Sequence, residues 1–581
     1  MTRLRHSIGA AAAGCALLAG SLWIASPASG ADAPPAHPGD VTTAAVTPGE
    51  GPVSVAIVMP LTVPPTVTGL LDAETLEAYT APDGILTRQL DAVAGTSVAI
   101  GLDPMVTASI RVLGEAAPDA ALAFLDRLRT ASNEVFLLSY ADADPIVAAE
   151  ADGGDALAPL GFDFAIDPAD FGPAATPTPT PTENPDPQPT EAPDDGNDTR
   201  PPLPTTEDLL AWPTTLESIA WPAEGTVDAD GLATLADLGF ADVLMSGANV
   251  SPVSTALVDL GDVDGLVTDD EVTAAVRDAV YATTPTGYQG AVSRLGTTLQ
   301  ARAAATPGRT IIATLDRRWP SGSMRVSDVL TAIGAASASQ VVTLGEVLAG
   351  PRGGAQLVEA DPDAVDERVD ATADLVDAAA DEAGFLAIAE DATVITQPRR
   401  LALLGLSATG WRADGPRWTV ATHDFLTASR ATLDAVQIAE GSDLLLLSDV
   451  SSLRMQVSNA LPVAVTVYLS VRPLRPILHV KDSLVEVTIE PDSTSNTTVP
   501  VESIANGDVT VRAELRGANG AKLGHVRFVK VILQAGWETA GTLIAASLVV
   551  AVFGIGIVRV ILRRRRRAGV DGSDDAGTPD D

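Results

Sequence analysis

From residue 53 onward, short apolar runs alternate with stretches whose apolar positions recur at helical spacing. Val53 to Met59 is the first run, followed by a helical pattern from Asp72 to Val93. Ser97 to Leu102 comes next, then a helical pattern from Pro118 to Thr130. Glu134 to Tyr140 and Phe162 to Ile166 are the third and fourth runs. Continuous apolar runs bounded by Gly, Pro and Asp, with helices between them, predict βα units around a parallel sheet.

The alternation breaks over residues 172–204, where Thr176-Pro177-Thr178-Pro179-Thr180-Pro181 leads into more Pro, Asn, Asp and Glu. Such a segment cannot bury a core and reads as an extended, polyproline-like excursion. Runs then resume at Ser218 to Trp221, Asp242 to Met245, Gly265 to Thr268, Thr310 to Leu315 and Gln340 to Leu344. Helical patterns lie at 228–238, 270–283, 289–305 and 325–336. Each half supplies too few strands to close a barrel, whereas together they supply roughly eight. Residues 53–350 therefore read as one α/β barrel-like domain, TIM-type or deacetylase-like, with the Pro/Thr segment as an insertion. Two separate α/β domains are the alternative.

Residues 361–440 are helical by spacing, with Val365, Val369, Leu375, Val376 and Ala379 on one stripe. Residues 441–535 switch to period-two alternation in short runs: 464–471, 484–489, 497–501, 509–515 and 526–533. Turn signals fall at Asn506-Gly507 and Asn519-Gly520. This spacing predicts an all-β, immunoglobulin-like sandwich. Between Glu538 and Arg559 there is no charge, a stretch of roughly 20 residues, about what a helix needs to cross a bilayer core. We place a transmembrane helix at 537–562, with Trp537 at the interface. Arg559, Arg563, Arg564, Arg565, Arg566 and Arg567 follow as a stop-transfer cluster held inside, so residues 563–581 form a cytoplasmic tail. At the other end, Arg3, Arg5 and the apolar run from Ile8 to Ala25 predict a signal peptide over 1–31, followed by a Pro/Ala/Thr spacer over 32–52. The two signals give one topology, with the ectodomain outside and the lipid bilayer as a partner.

Composition narrows the chemistry. The 581-residue chain carries a formal net charge of −40, which leaves no basic surface for nucleic acid. The charge is uneven: the only lysines are Lys481, Lys522 and Lys530, just before the membrane helix, and basic residues slightly outnumber acids between 450 and 535. Cys15 is the single cysteine and falls inside the predicted signal peptide, so the mature chain has neither disulfides nor thiolate chemistry. A metal-dependent deacetylase needs a carboxylate and two histidines on one metal. Beyond the N-terminal spacer only His423, His479 and His525 remain, and no metal site or other cofactor is expected. Nucleotide-binding and nucleophile-elbow motifs do not occur in a usable context, and no LPxTG precedes the membrane helix.

In a parallel barrel, ligands sit at the C-terminal ends of strands. The candidates there are Asp103, Tyr140, Asp142, Asp144, Trp221, Glu224, Asp316 and Trp319, with Asp167 and Arg317 nearby. Acids and aromatics so placed suit a sugar: carboxylates for acid and base, ring faces for stacking. The same acids also suit helix caps, since Asp before Pro is a common strand-to-helix turn.

A set of short features runs the length of the chain: Asp103-Pro104, Tyr140-Ala141-Asp142, Trp221-Pro222, the Pro/Thr excursion, Asn506-Gly507-Asp508, Gly536-Trp537 and the Arg-rich tail. In these the chain resembles an actinobacterial family of uncharacterised single-pass envelope proteins, secreted or membrane glycoproteins. The resemblance implies a surface-exposed protein of cell-wall assembly, since such members are often encoded beside the peptidoglycan-precursor flippase. It brings no catalytic residue. Three functions are then open: a non-catalytic component binding a wall glycan or a protein partner, a glycoside hydrolase using two of Asp103, Asp142, Asp144, Glu224 and Asp316, or a purely structural stalk with sugars on Thr176 to Thr190.

Overall fold

The computed structural model describes residues 51–152, 158–172, 202–253, 255–358, 362–439, 443–534 and 537–567. The expected signal peptide, the spacer up to residue 50, the body of the Pro/Thr insertion and the tail beyond 567 lie outside these residues. So do the side chains of Trp537 and Arg567.

The apolar runs of the first region become strands β1 (Val53–Leu61), β2 (Ala99–Leu102), β3 (Val135–Leu137), β4 (Ile219–Ala220) and β5 (Asp242–Met245). After the short β6 (Val250–Ser251) come β7 (Leu257–Asp259), β8 (Asp264–Val267), β9 (Thr310–Thr314) and β10 (Ser339–Val341). β1 pairs in parallel with β9 along one edge and with β2 and β10 along the other, and β3 follows β2. A second sheet holds β4, β5 and β8 in parallel. A parallel bridge between Thr268 and Ile312 joins β8 to β9. The parallel strands thus follow one another as β4-β5-β8-β9-β1-β2-β3. β1, from before the Pro/Thr segment, pairs directly with β9 and β10, from after it, so the two halves form one module.

Strand periodicity sorts the side chains. Val55, Ile57 and Met59 of β1, Ile100 of β2 and Ile311 of β9 pack outward against helices. Ala56, Val58, Ala99, Phe136, Ile219, Leu244, Leu266 and Ile312 point the other way, into one shared cluster closed by Trp221 and Leu138. A core drawn from every strand of the series is what a barrel-like wrap requires. Gly101 belongs to it by absence: a Cβ there would stand 3.0–3.2 Å from Leu138, Phe136 and Trp221. Between β3 and β4 the ladder is reduced to the amides of Thr215 and Leu216 donating to the Val135 carbonyl, at 3.0 and 3.1 Å. A crevice of about 410 Å³ opens there, lined by Leu137, Tyr140, Leu216 and Phe240.

Two sequence expectations change. The run Phe162 to Ile166 is not a strand but a 3-10 turn at Asp163–Ala165, with Phe162 buried against Tyr140. The helical pattern from Asp72 to Val93 is two helices, Ala73–Thr80 and Ile85–Val93.

The helical region contains Pro362–Phe385, Thr393–Leu406 and Gly415–Leu433. It is wedged between the other modules. Phe385, Leu386 and Ile388 join the core of the β module, and Ala389 bridges Val465. The β module follows the short β11 (Gly353–Gly354) and β12 (Gln356–Leu357). Its strands are β13 (Val436–Ile438), β14 (Leu444–Leu446), β15 (Val450–Asn459), β16 (Val465–Pro473), β17 (Leu478–Val480), β18 (Leu484–Ile489), β19 (Ser493–Ser503), β20 (Gly507–Arg516) and β21 (Lys522–Leu533). Two sheets, β13-β15-β19-β17 and β14-β21-β20-β16-β18, enclose one apolar core. Asn519-Gly520 turns a true hairpin between β20 and β21, with Gly520 at φ +81°. Asn506-Gly507 instead carries the chain from one sheet to the other.

Finally comes the helix Trp537–Arg567, whose most apolar 18-residue stretch has a mean hydropathy of 2.5 and no buried residue. The 26 residues of Gly541–Arg566 at about 1.5 Å each give some 39 Å, against about 30 Å of bilayer hydrocarbon. Among the described residues this one helix is long and apolar enough to cross a membrane.

Candidate functional site

All eight candidate residues lie at the C-terminal ends of the parallel strands, where the βα turns begin. The helix Pro104–Val112 starts immediately after β2, and Asp103 caps it: its Oδ1 accepts from the Met105 amide at 2.9 Å. The same carboxylate accepts from the amides of Ala141 and Asp142. Those two residues sit in the left-handed region, at φ 58° and 52°. Side chains disfavour that conformation, and it persists only where surroundings over-determine it. Asp103 supplies the acceptor that holds this turn. It is fully buried; burial and the neighbouring Asp142 push its carboxyl well above the usual range, against the pull of three backbone donors.

Asp142 faces the end of β9. Arg317 grips it with two hydrogen bonds, Nε at 2.7 Å and Nη2 at 3.0 Å. The same Nη2 donates to the Trp221 carbonyl at 2.9 Å, and the guanidinium stacks 5.0 Å from the Trp221 ring. Trp221 packs against Phe136 inside the strand cluster. Asp142, Arg317 and Trp221 thereby tie the ends of β3, β9 and β4 across the place where the ladder gapes. Burial raises the Asp142 carboxyl and Arg317 opposes it.

The remaining candidates are also engaged. Asp144 is wholly buried; it accepts from the Ile146 amide at 3.3 Å and from Arg412 Nη2 at 3.4 Å. Its amide donates to the Ser407 carbonyl at 2.9 Å. Glu224 meets Arg277, which also holds the Thr314 carbonyl at 2.8 Å. Asp316 pairs with Arg318 at 2.7 Å. Tyr140 donates to the Gly69 carbonyl at 2.8 Å, and Trp319 Nε1 donates to the Thr62 carbonyl at 3.1 Å. Asp167 caps a 3-10 turn through the Ala169 amide at 2.9 Å and stands at no strand end.

Part of this face is covered. The helix Thr393–Leu406 and the turn Thr409–Ala413 lie over the ends of β1, β3 and β9. Contact is so close that a Cβ on Gly69 would come 1.8 Å from the Leu401 carbonyl oxygen, and one on Gly405 2.5 Å from that of Thr66. Gly410 lies on Trp319 and Pro65. Arg412 comes from this cover, and Arg368 from the preceding helix Pro362–Phe385. Arg368, stacked 4.6 Å over Trp418, is held down to about 10 by burial and by Arg412, with Asp144 opposing.

The arrangement therefore brings the predicted acids to one face but gives each a partner. A general acid or base must reach a substrate proton. Asp103, Asp142 and Asp144 are buried under neighbours, and the rim acids Glu224 and Asp316 face arginines. The chain order sets Arg317 beside Asp316, but does not reveal Arg277, Arg318 or Arg412 as partners. The one available signal was the scarcity of basic residues in an acidic chain. Among the described residues no cluster of His, Cys, Asp and Glu is arranged to hold a metal ion.

Comparison with known proteins adds little to the geometry. No curated protein matches the sequence. Among solved structures, the α-amylase AmyC from Thermotoga maritima is similar at 9 % identity and TM-score 0.41, over 66 % of this chain and 93 % of that one. The E. coli alpha-2-macroglobulin matches at 17 % identity and TM-score 0.15, over 18 % of this chain and 7 % of that one. WR4, a C. elegans MSP family member, matches at 8 % identity and TM-score 0.14, over 17 % and 98 %. This chain thus spans 7 % of the length of the alpha-2-macroglobulin. These likenesses are too slight to assign an activity. The model of a family of unknown function matches residues 39–581, and the chain belongs to that family, DUF6049.

Proposed function

We propose that this protein is a single-pass, membrane-anchored component of the cell envelope whose ectodomain binds a ligand without transforming it. The α/β module reads as a TIM-type barrel, and the β module as an immunoglobulin-like sandwich beside the membrane. The ectodomain faces away from the cytoplasm, and the arginines from 563 onward stay inside. A wall glycan or a membrane protein of wall assembly, such as the peptidoglycan-precursor flippase, is the ligand this placement favours.

What supports the non-catalytic reading is the engagement of every strand-end acid by an arginine or a backbone amide, with part of the face beneath a helical cover. A glycoside hydrolase needs two carboxyls flanking an open cleft, one of them free to exchange a proton. The most exposed of the five, Glu224, is engaged by Arg277.

The test uses full-length protein in nanodiscs, incubated with purified peptidoglycan and with lipid-linked precursor, followed by co-sedimentation and a reducing-end assay. A parallel photo-crosslinking pull-down from membranes reads protein partners. Retention of a glycan or one membrane partner without new reducing ends is the expected result. Reducing ends that disappear with Glu224→Gln would overturn it, and so would no retention and no crosslinked partner.

A further inference from the structure

The β module has two ends, and only one of them exposes large apolar side chains in its turns. At the end where β21 finishes, Leu447 is 65 % exposed, Val450 61 %, Leu474 59 % and Ile504 62 %. They come from three separate turns that backbone hydrogen bonds gather into one patch. Leu446 pairs with Leu533, and the Gln534 amide donates to the Leu446 carbonyl at 2.8 Å. Ser503 N reaches the Asp449 carbonyl at 2.8 Å, Ile504 N that of Ile477 at 2.9 Å, and Leu474 N that of Thr510 at 2.9 Å. The far-end turns at 460–464, 490–492 and 517–521 differ: among the described residues they expose no large hydrophobic, and Leu461 and Val463 are buried.

Single exposed hydrophobics need no explanation, but several in one patch at one end of a soluble fold do. Chain length says what covers them. Between Leu533 and Trp537, where the long apolar helix begins, only residues 534–536 intervene. Three residues reach at most about 11 Å at ~3.6 Å each. If that helix spans the bilayer, this end of the β module is held at the headgroup layer. Charge agrees with that position: Asp508 is paired with Lys530 at 2.9 Å, and Arg475 donates to the Asp508 carbonyl at 2.9 Å.

We infer that Leu447, Val450, Leu474 and Ile504 form a lipid-contacting foot. It seats the β module in the membrane interface, so the module is a fixed pedestal and not a swinging tether. The inference rests on the membrane-spanning reading of the helix and adds a second contact with the same bilayer. The partner is the apolar and glycerol layer of the lipid, recognised by side-chain hydrophobicity. Near-neutral local charge removes any need for a particular headgroup.

The test takes the full-length chain in a Cys15→Ser background, reconstituted in phosphatidylethanolamine–phosphatidylglycerol vesicles. Single cysteines at Leu447, Leu474, Ile504, Asn519 or Val550 carry an environment-sensitive fluorophore. The expected result is loss of emission at 447, 474 and 504 with lipids brominated near the glycerol end. Val550 should be quenched by deep bromines, and Asn519 by aqueous iodide alone. If Val550 responds to deep bromines while 447, 474 and 504 respond to iodide as Asn519 does, the foot is disproved and the anchor stands. If Val550 also fails to respond to lipid, the anchor reading falls and the foot with it. Hydrogen exchange on the unlabelled chain, with and without vesicles, gives a readout free of labelling. Protection of 447–450 and 504–506 by lipid is expected, and unchanged exchange there would overturn the foot.

Discussion

Two faces of this molecule carry the side chains that first attract attention, and they differ in one respect. At the strand ends of the α/β module, acids of the kind used in catalysis meet an arginine or backbone amides: Asp142 with Arg317, Asp144 with Arg412, Asp103 with three backbone amides, while Asp316 Oδ1 is buried without a hydrogen-bond partner among the described residues. At the helix-exit end of the β module, apolar groups that would ordinarily be hidden stand exposed among the described residues. The first face reads as an internal seam, the second as a surface awaiting contact. Residue type alone pointed to the first as the functional region, and pairing points to the second.

The largest expected effect tests the seam. Asp142→Asn leaves a buried guanidinium without its counter-charge. It should destabilise the full-length protein by about 3–5 kcal/mol, the usual penalty for breaking a buried pair, measured by denaturant unfolding in detergent. Unchanged stability with lost ligand binding would turn the seam back into a site. Next is Gly69→Ala, at a residue with φ +63° whose Cβ would clash with the Leu401 carbonyl. A loss of about 1–3 kcal/mol from the strained backbone alone, with proteolysis of the helical cover, is expected.

A smaller effect concerns pH. Because the folded-state carboxyl of Asp103 is raised, the folded protein binds a proton there more tightly than the unfolded chain does. Its contribution to stability is then full below the unfolded value, near 3.9, and declines as pH rises toward the raised folded value. Asp103→Asn keeps an acceptor and removes the titration. It should be neutral to stabilising at pH 7, with a shallower fall in stability between pH 4 and pH 7 in thermal melts. Equal pH slopes in the two proteins would contradict this. The smallest effect is on the other face: Leu447→Ser with Ile504→Ser should change stability by under about 0.5 kcal/mol, as exposed substitutions do. The same pair should make residues 447–450 exchange faster in vesicles.

The strands of the α/β module were legible because a sheet buried on both faces reads as uninterrupted apolar runs, and Asp242–Met245 matches its run residue for residue. The helix Pro104–Val112 was missed for the converse reason: nearly all of it is buried, so no polar face marks its period. Phe162 to Ile166 imitated a strand by composition, yet pairing is a tertiary decision, and there Phe162 packs on a ring instead. The placing of acids at strand ends was readable from Asp-Pro and Trp-Pro junctions. Their partners were not: Arg277, Arg317 and Arg412 stand 53, 175 and 268 residues from the acids they meet. Nor does helical spacing reveal which face of Thr393–Leu406 will lie on Gly69.

The most direct test of the account is a thermodynamic cycle on Asp142 and Arg317 in the full-length protein, with Asp142→Asn, Arg317→Met and the double variant compared by unfolding. If the pair holds the seam, the double variant loses much less stability than the sum of the two single losses, because removing both charges leaves neither one buried alone. Additive losses, with ligand binding or glycan turnover abolished by Asp142→Asn alone, would contradict it and make Asp142 a residue that acts on a substrate.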